Sequence, residues 1–130
     1  IAPQRLDPRD RTLRYKTMRR NLHEDAFAYA VRSGSFEAVL LGAEDFVADG
    51  SRTTIFVERD GLLLTPPLAH GALAGILREE LLANGSAAEY PVTSEDLMSG
   101  ATFIGNSARG LLPARLITHP AARQRAERIR

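Results

Sequence analysis

The 130-residue sequence has no cysteine, no tryptophan and a single lysine, Lys16. Without cysteine there is neither a disulfide framework nor a thiolate metal site, which points to a reducing compartment, the cytoplasm. The three histidines, His23, His70 and His119, lack the spacing of a zinc-binding helix. No apolar run approaches the roughly 18 residues that a membrane helix needs, and no charged start leads into an apolar stretch, so no membrane partner and no signal peptide are expected. An excess of one charge is also missing: 17 basic groups face 16 acidic ones. Aromatic residues make up 6% and do not interleave with the arginines near either end (Arg5, Arg9, Arg11 and Arg14; Arg123, Arg125, Arg128 and Arg130), so no nucleic-acid partner is expected.

What is present suits a single globular domain, with 44% apolar and 25% charged residues. The first residue is Ile1 rather than methionine, and Pro3, Asp7 and Pro8 give residues 1–15 the character of a connector from an upstream domain. The apolar spacing of Met18, Leu22, Ala26, Tyr29 and Ala30 predicts a helix over 17–33, closed by Gly34. Residues 37–41 and 53–58 read as strands, and Asp60-Gly61 as a two-residue hairpin turn into Leu62–Thr65, which Pro66 and Pro67 stop. A second helix is expected to turn Leu73, Ile76, Leu77 and Leu81 inward and Arg78, Glu79, Glu80 and Asn84 outward, ending at Gly85. Residues 87–92 suit an edge or short strand. Thr93 and Asp96 form a capping box for a short helix carrying Leu97 and Met98 inward. Thr102–Ile104 is one further strand, and 111–117 another that Pro113 confines to an edge or bulge; a polar helix follows Pro120. Strands and helices mix without a βαβ rhythm, so the fold class is α+β.

Three features suit chemistry. Arginine supplies the other 16 of the 17 basic groups (17 less Lys16), and its guanidinium stays protonated, whereas a lysine amine near other cations can act as a nucleophile and Schiff-base former. Arg14, Arg19 and Arg20 are such neighbours; a leftover surface lysine is the plainer alternative. Gly75, at the start of the second helix, suits a phosphate on free N–H groups or close packing of two elements. Asn106 and Ser107 end a strand just before Gly110, in a loop able to offer a hydroxyl and backbone donors to an anion. Asp49-Gly50-Ser51 reads as a turn between strands, or as the carboxylate that keeps a heteroaromatic nitrogen protonated.

Taken in order, Lys16-Thr17 with Arg19-Arg20, Asp49 to Phe56, Asp60-Gly61, Leu64 to Leu68, Leu73 to Arg78 and Gly105 to Gly110 resemble the C-terminal domain of class IV aminotransferases. This pyridoxal-phosphate group includes branched-chain and D-amino-acid aminotransferases and 4-amino-4-deoxychorismate lyase. The resemblance implies a D-amino-acid aminotransferase-like fold, a mixed sheet or pseudo-barrel flanked by helices, over residues 16–118, with 119–130 a basic helix or tail. It implies a homodimer, a small-molecule substrate, and pyridoxal 5'-phosphate attached to Lys16, which then shuttles protons. It places Asp49 at the pyridine nitrogen, Gly75, Ile76, Leu77 and Ser107 around the phosphate, and Asn106, Ala108 and Arg109 toward substrate.

Within the family, the Lys-Thr-x-Arg-Arg start, the Thr-Pro-Pro-Leu turn and the Asn-Ser-x-Arg-Gly loop are most similar to the lyase branch, which serves folate biosynthesis; transamination of a branched-chain or related amino acid and a catalytically silent interaction domain are the two alternatives. Three positions depart from the family pattern: Asp49 stands for glutamate, Thr54 for asparagine and Leu77 for threonine. The family's N-terminal domain, with its phosphate-binding arginine, does not appear before Ile1.

Overall fold

The computed structural model describes residues 1–3 and 16–117. Most of the connector expected over 1–15, and the helix expected beyond Pro120, lie outside the described residues. Ala2 is described: it is buried, and its N–H donates to the Val39 carbonyl at 2.7 Å.

Helix α1 (Lys16–Arg32) buries Ala26 and Ala30, with Leu22 and Tyr29 packed beside them. It ends where Gly34 takes a φ of 72°, a left-handed conformation that favours glycine. Strands β1 (Val39–Leu41) and β2 (Val47–Gly50) pair antiparallel as a two-stranded ribbon. Because side chains alternate along a strand, the ribbon buries both faces. Ala38, Leu40 and Ala48 pack on α1, while Val39, Leu41 and Val47 pack with Ile55, Val57, Val92, Leu97 and Ile104 on the other side.

That other side is a five-stranded sheet in the order β5-β4-β3-β6-β7, made of β3 (Thr54–Arg59), β4 (Leu62–Thr65), β5 (Ala87–Glu89), β6 (Ala101–Asn106) and β7 (Gly110–Ala114). All its pairs are antiparallel except β4 with β5, so the sheet is mixed and the fold is α+β, as expected. Central β3 is buried on both faces from Thr54 to Val57, which explains its unbroken β-branched and aromatic run. Asp60 and Gly61, at φ 53° and 81°, form the predicted hairpin turn between β3 and β4. Pro113 lies on edge strand β7 opposite Phe103, where its missing N–H costs no central ladder bond.

Helices α2 (Ile76–Ala83) and α3 (Ser94–Ser99) complete the fold. The capping box of α3 is present: Asp96 N–H donates to Thr93 Oγ1 at 3.2 Å, and Thr93 N–H to Asp96 Oδ2 at 2.9 Å. Leu97 is buried, but Met98 is 57% exposed, since a helix of this length has room for one inward position on β6.

The second helix also departs from expectation. It starts only at Ile76, leaving Leu73 in the loop before the helix, and Ile76 itself is 67% exposed. Its one buried residue is Arg78, with no solvent exposure. The guanidinium donates to the Pro66 carbonyl at 3.2 Å and to Glu79 at 2.8 Å, and pairs with Glu89 at 3.0 Å, while its Nε has no partner. Arginine is tolerated there because two carboxylates and a carbonyl meet it.

Candidate active site

A cavity of about 230 Å³ opens where the end of β2, the start of α2 and the β6–β7 turn converge. Asp49, Gly75, Ile76, Leu77, Asn106 and Ser107 all line it, so six residues singled out from the sequence meet in one place although they come from three separate segments. His23, Arg52 and Thr54 join them.

Asp49 does not lie in a turn. It belongs to β2, opposite Leu40, and the bend of the chain falls one residue past the strand's end, at Ser51. Strand pairing outweighs the local turn preference of Asp-Gly because Leu40 and Ala48 are core residues whose burial requires the ribbon. The Asp49 carboxylate is buried and accepts N–H bonds from Gly50 at 3.1 Å and Leu73 at 3.3 Å. His23 Nε2 stands 3.2 Å from Asp49 Oδ2. Burial raises the Asp49 pKa above the usual carboxylate range, and the His23 contact and the two N–H donors oppose that rise without cancelling it.

The start of α2 supplies the opposite polarity. Its N-cap, Gly75, has no side chain to accept the first-turn N–H groups, and those of Ile76 and Leu77 have no acceptor within the helix. Gly75 has an ordinary φ of −74°, and a Cβ there would meet Thr54 Oγ1 at a normal 3.5 Å. Neither backbone strain nor close packing therefore demands glycine, and its effect is to leave the helix end open toward the cavity. Gly105 is different: a Cβ would lie 2.7 Å from the Gly110 carbonyl and 2.9 Å from Leu77 Cδ2. Glycine at 105 lets α2 and the β6–β7 turn close on one another beside Ser107.

Asn106 is used internally. Its Oδ1 accepts the N–H groups of Ala108 at 3.1 Å and Arg109 at 2.9 Å, and its Nδ2 donates to the Arg52 carbonyl at 3.3 Å. Ala108 and Arg109 belong to the turn and do not line the cavity. Lys16 opens α1, two turns before His23, so the two backbone positions share one face of the helix.

Two contributors went unassigned in the sequence. His23 carries no signal beyond its type. Glu37, beyond the end of α1, binds the 51–53 bend by accepting from Ser51 N–H (2.8 Å), Arg52 N–H (3.1 Å), Thr53 Oγ1 (2.6 Å) and Ser51 Oγ. A carboxylate with that many donors fixes the segment following Asp49. Among the described residues, no group of three histidine or acidic side chains is placed to hold a metal, and no helix is long and apolar enough to cross a membrane.

A buried carboxylate facing an open helix N-terminus across one cavity can hold a group that is cationic at one end and anionic at the other. Comparison with known proteins gives this arrangement a context. A structure from Mesorhizobium loti named as an amino-acid aminotransferase is 41% identical, with a TM-score of 0.81, over 89% of this chain and 57% of that one. A branched-chain amino acid aminotransferase from T.th., solved with pyridoxamine 5'-phosphate, is 26% identical with a TM-score of 0.65, over 73% of this chain and 33% of that one. A Thermotoga maritima protein named as a branched-chain-amino-acid aminotransferase is 30% identical over 62% of this chain, which spans 32% of its length. A Legionella pneumophila structure named as a 4-amino-4-deoxychorismate lyase shares the fold, with a TM-score of 0.63 at 22% identity over 80% of this chain and 44% of that one. The family model described as amino-transferase class IV matches residues 1–117. The chain belongs to the class IV aminotransferase family.

Proposed function

We propose that this chain forms the cofactor-binding part of a pyridoxal-phosphate enzyme, and that the enzyme is a lyase releasing pyruvate and 4-aminobenzoate from 4-amino-4-deoxychorismate. The observation that carries the cofactor reading is the convergence of Asp49, the open N-terminus of α2 and Ser107 on one cavity. The donor set fits the group: a buried carboxylate suits a protonated ring nitrogen, and unpaired N–H groups with a hydroxyl suit a phosphate.

When bound, the cofactor supplies an electron sink for the carbanion left when a proton departs from the substrate carbon. Asp49 holds the ring nitrogen in its protonated form. Ile76 and Leu77 bind the phosphate through their backbone N–H groups, so leucine at 77 keeps that donor while lacking a hydroxyl. Lys16, the sole primary side-chain amine of the sequence, is the covalent attachment point and moves the proton. The Glu37-braced bend and the Asn106-capped turn keep the rim in place.

The lyase reading is supported by the Lys16-Thr17-x-Arg19-Arg20 start and the Asn106-Ser107-x-Arg109-Gly110 loop. The names of the more similar relatives favour a second reading, transamination of a branched-chain amino acid. A coupled assay on the full polypeptide separates them. Pyruvate formed from 4-amino-4-deoxychorismate without an added keto acid supports the lyase; turnover only of branched-chain amino acids with a keto-acid acceptor supports the transaminase. The full polypeptide, including an upstream domain, is proposed to act as a homodimer, which light scattering tests.

A further inference from the structure

Helix α2 is the crossover between two parallel neighbours: β4 precedes it, β5 follows it, and Thr65 pairs with Glu89 where both strands end. Of its eight residues only Arg78 is buried, so a single charged side chain seats the helix on the sheet. The guanidinium reaches the Pro66 carbonyl at 3.2 Å and Glu89 at 3.0 Å, both at those adjacent strand ends. Its third contact, Glu79 at 2.8 Å, belongs to the same helix and fixes nothing relative to the sheet.

Successive side chains of a helix are rotated by about 100°, which divides the tasks of the first turn. Gly75, Ile76 and Leu77 line the cavity, whereas Arg78, the third helical residue, contacts the strand ends instead. Toward β6, Leu77 Cδ2 lies 2.9 Å from where a Cβ at Gly105 would stand, so the turn is held from two directions. Apolar contact has no preferred direction and tolerates small slides. A planar guanidinium that donates to a carbonyl and a carboxylate has a fixed geometry, and it sets where the turn sits along the sheet.

We infer that Arg78 is a positioning residue for the phosphate site: by tethering the first turn of α2 to the ends of β4 and β5, it aims the Ile76 and Leu77 N–H groups into the cavity. The inference rests on reading that cavity as the cofactor site. Arg78 does not line the cavity, so it acts through the helix rather than by touching the phosphate. Its charge is met by Glu79 and Glu89, which leaves placement of the donors, and not attraction at a distance, as its contribution.

The test uses the full polypeptide stripped of cofactor and titrated, by the change in absorbance, with pyridoxal phosphate and with pyridoxal, which lacks the phosphate. The parent is expected to bind pyridoxal phosphate about a hundredfold or more tightly than pyridoxal. Arg78→Met should weaken pyridoxal phosphate about tenfold and leave pyridoxal within about a factor of two, and Arg78→Lys, which can still reach one anchor, should keep part of the preference. Glu89→Ala truncates a partly exposed side chain, should lose about threefold of the preference, and decides the matter alone where Arg78→Met does not fold. An unchanged preference in Arg78→Met, or in Glu89→Ala where that variant decides, overturns the tether. So does an equal fall for both ligands, which marks a general loosening of the fold. A parent that binds the two ligands alike overturns the phosphate reading itself and the tether with it, so the parent's preference and the variants' preference separate the two failures.

Discussion

His23 Nε2 and Asp49 Oδ2 meet at 3.2 Å in a buried contact that joins helix α1 to strand β2, and both residues line the cavity. It brings together residues 26 positions apart and tethers the helix that begins with Lys16 to the carboxylate assigned to the ring nitrogen. Burial is the largest influence on Asp49 and raises its pKa. A carboxyl group that holds its proton more firmly when folded favours the folded state below the ordinary carboxylate pKa. That contribution is lost as pH rises through the folded value.

Asp49→Asn is therefore expected to raise the melting temperature of the cofactor-free protein at neutral pH and to flatten its dependence on pH above the carboxylate range. The same variant, and Asp49→Ala, should lower turnover by at least about a hundredfold, because no charge then holds the ring nitrogen protonated. Asp49→Glu should keep substantial activity. Thermal denaturation across pH and steady-state assays read both effects, and turnover in Asp49→Ala within a factor of two of the parent would refute the assignment.

Borohydride reduction of the intact holoenzyme, followed by peptide mapping, should place the phosphopyridoxyl group on Lys16. Lys16→Ala should still bind pyridoxal phosphate through Asp49 and the α2 N–H groups, but without covalent attachment. Label found only on a segment outside these 130 residues would remove the assignment.

Gly105→Ala sets a Cβ against the Gly110 carbonyl and Leu77 Cδ2, so α2 and the β6–β7 turn must separate. A cost of about 1–3 kcal/mol is expected in urea unfolding, with cofactor affinity reduced about tenfold. Gly75→Ala, which meets only an ordinary contact at Thr54, should cost much less stability. Equal losses in the two variants would show that the close approach at 105 is not what shapes the cradle.

Arg78 tests what a buried cation contributes. Arg78→Ala removes the side chain that fills the space beneath α2 and should destabilise by about 2–4 kcal/mol. Arg78→Met keeps most of the volume, and Glu79 and Glu89 are exposed enough to rehydrate, so a loss near or below about 1 kcal/mol is expected. Chemical denaturation of the two variants separates packing from pairing; equal losses would mean that the ion pairs dominate.

Features written in short-range backbone geometry were legible in the chain itself. The Asp60-Gly61 turn, the Thr93–Asp96 box and the Gly34 stop depend on residues within a few positions of one another, and the missing N–H of Pro113 is a property of that residue alone. The order of the family-like segments likewise pointed to Asp49, Gly75 to Leu77 and Asn106-Ser107, which do share one cavity. Folding settled the matters that depend on distant partners. Asp49 entered a strand because Leu40 and its neighbours needed a paired ribbon to be buried, a requirement invisible in the Asp-Gly dipeptide. Arg78, outward by helical periodicity, is buried because Glu89 and the Pro66 carbonyl come from other segments to meet it. Glu37 and His23 had no readable role because a polar side chain takes its function from its partners. Periodicity records which face of an element is apolar, whereas pairing of strands and helices determines which polar groups meet there.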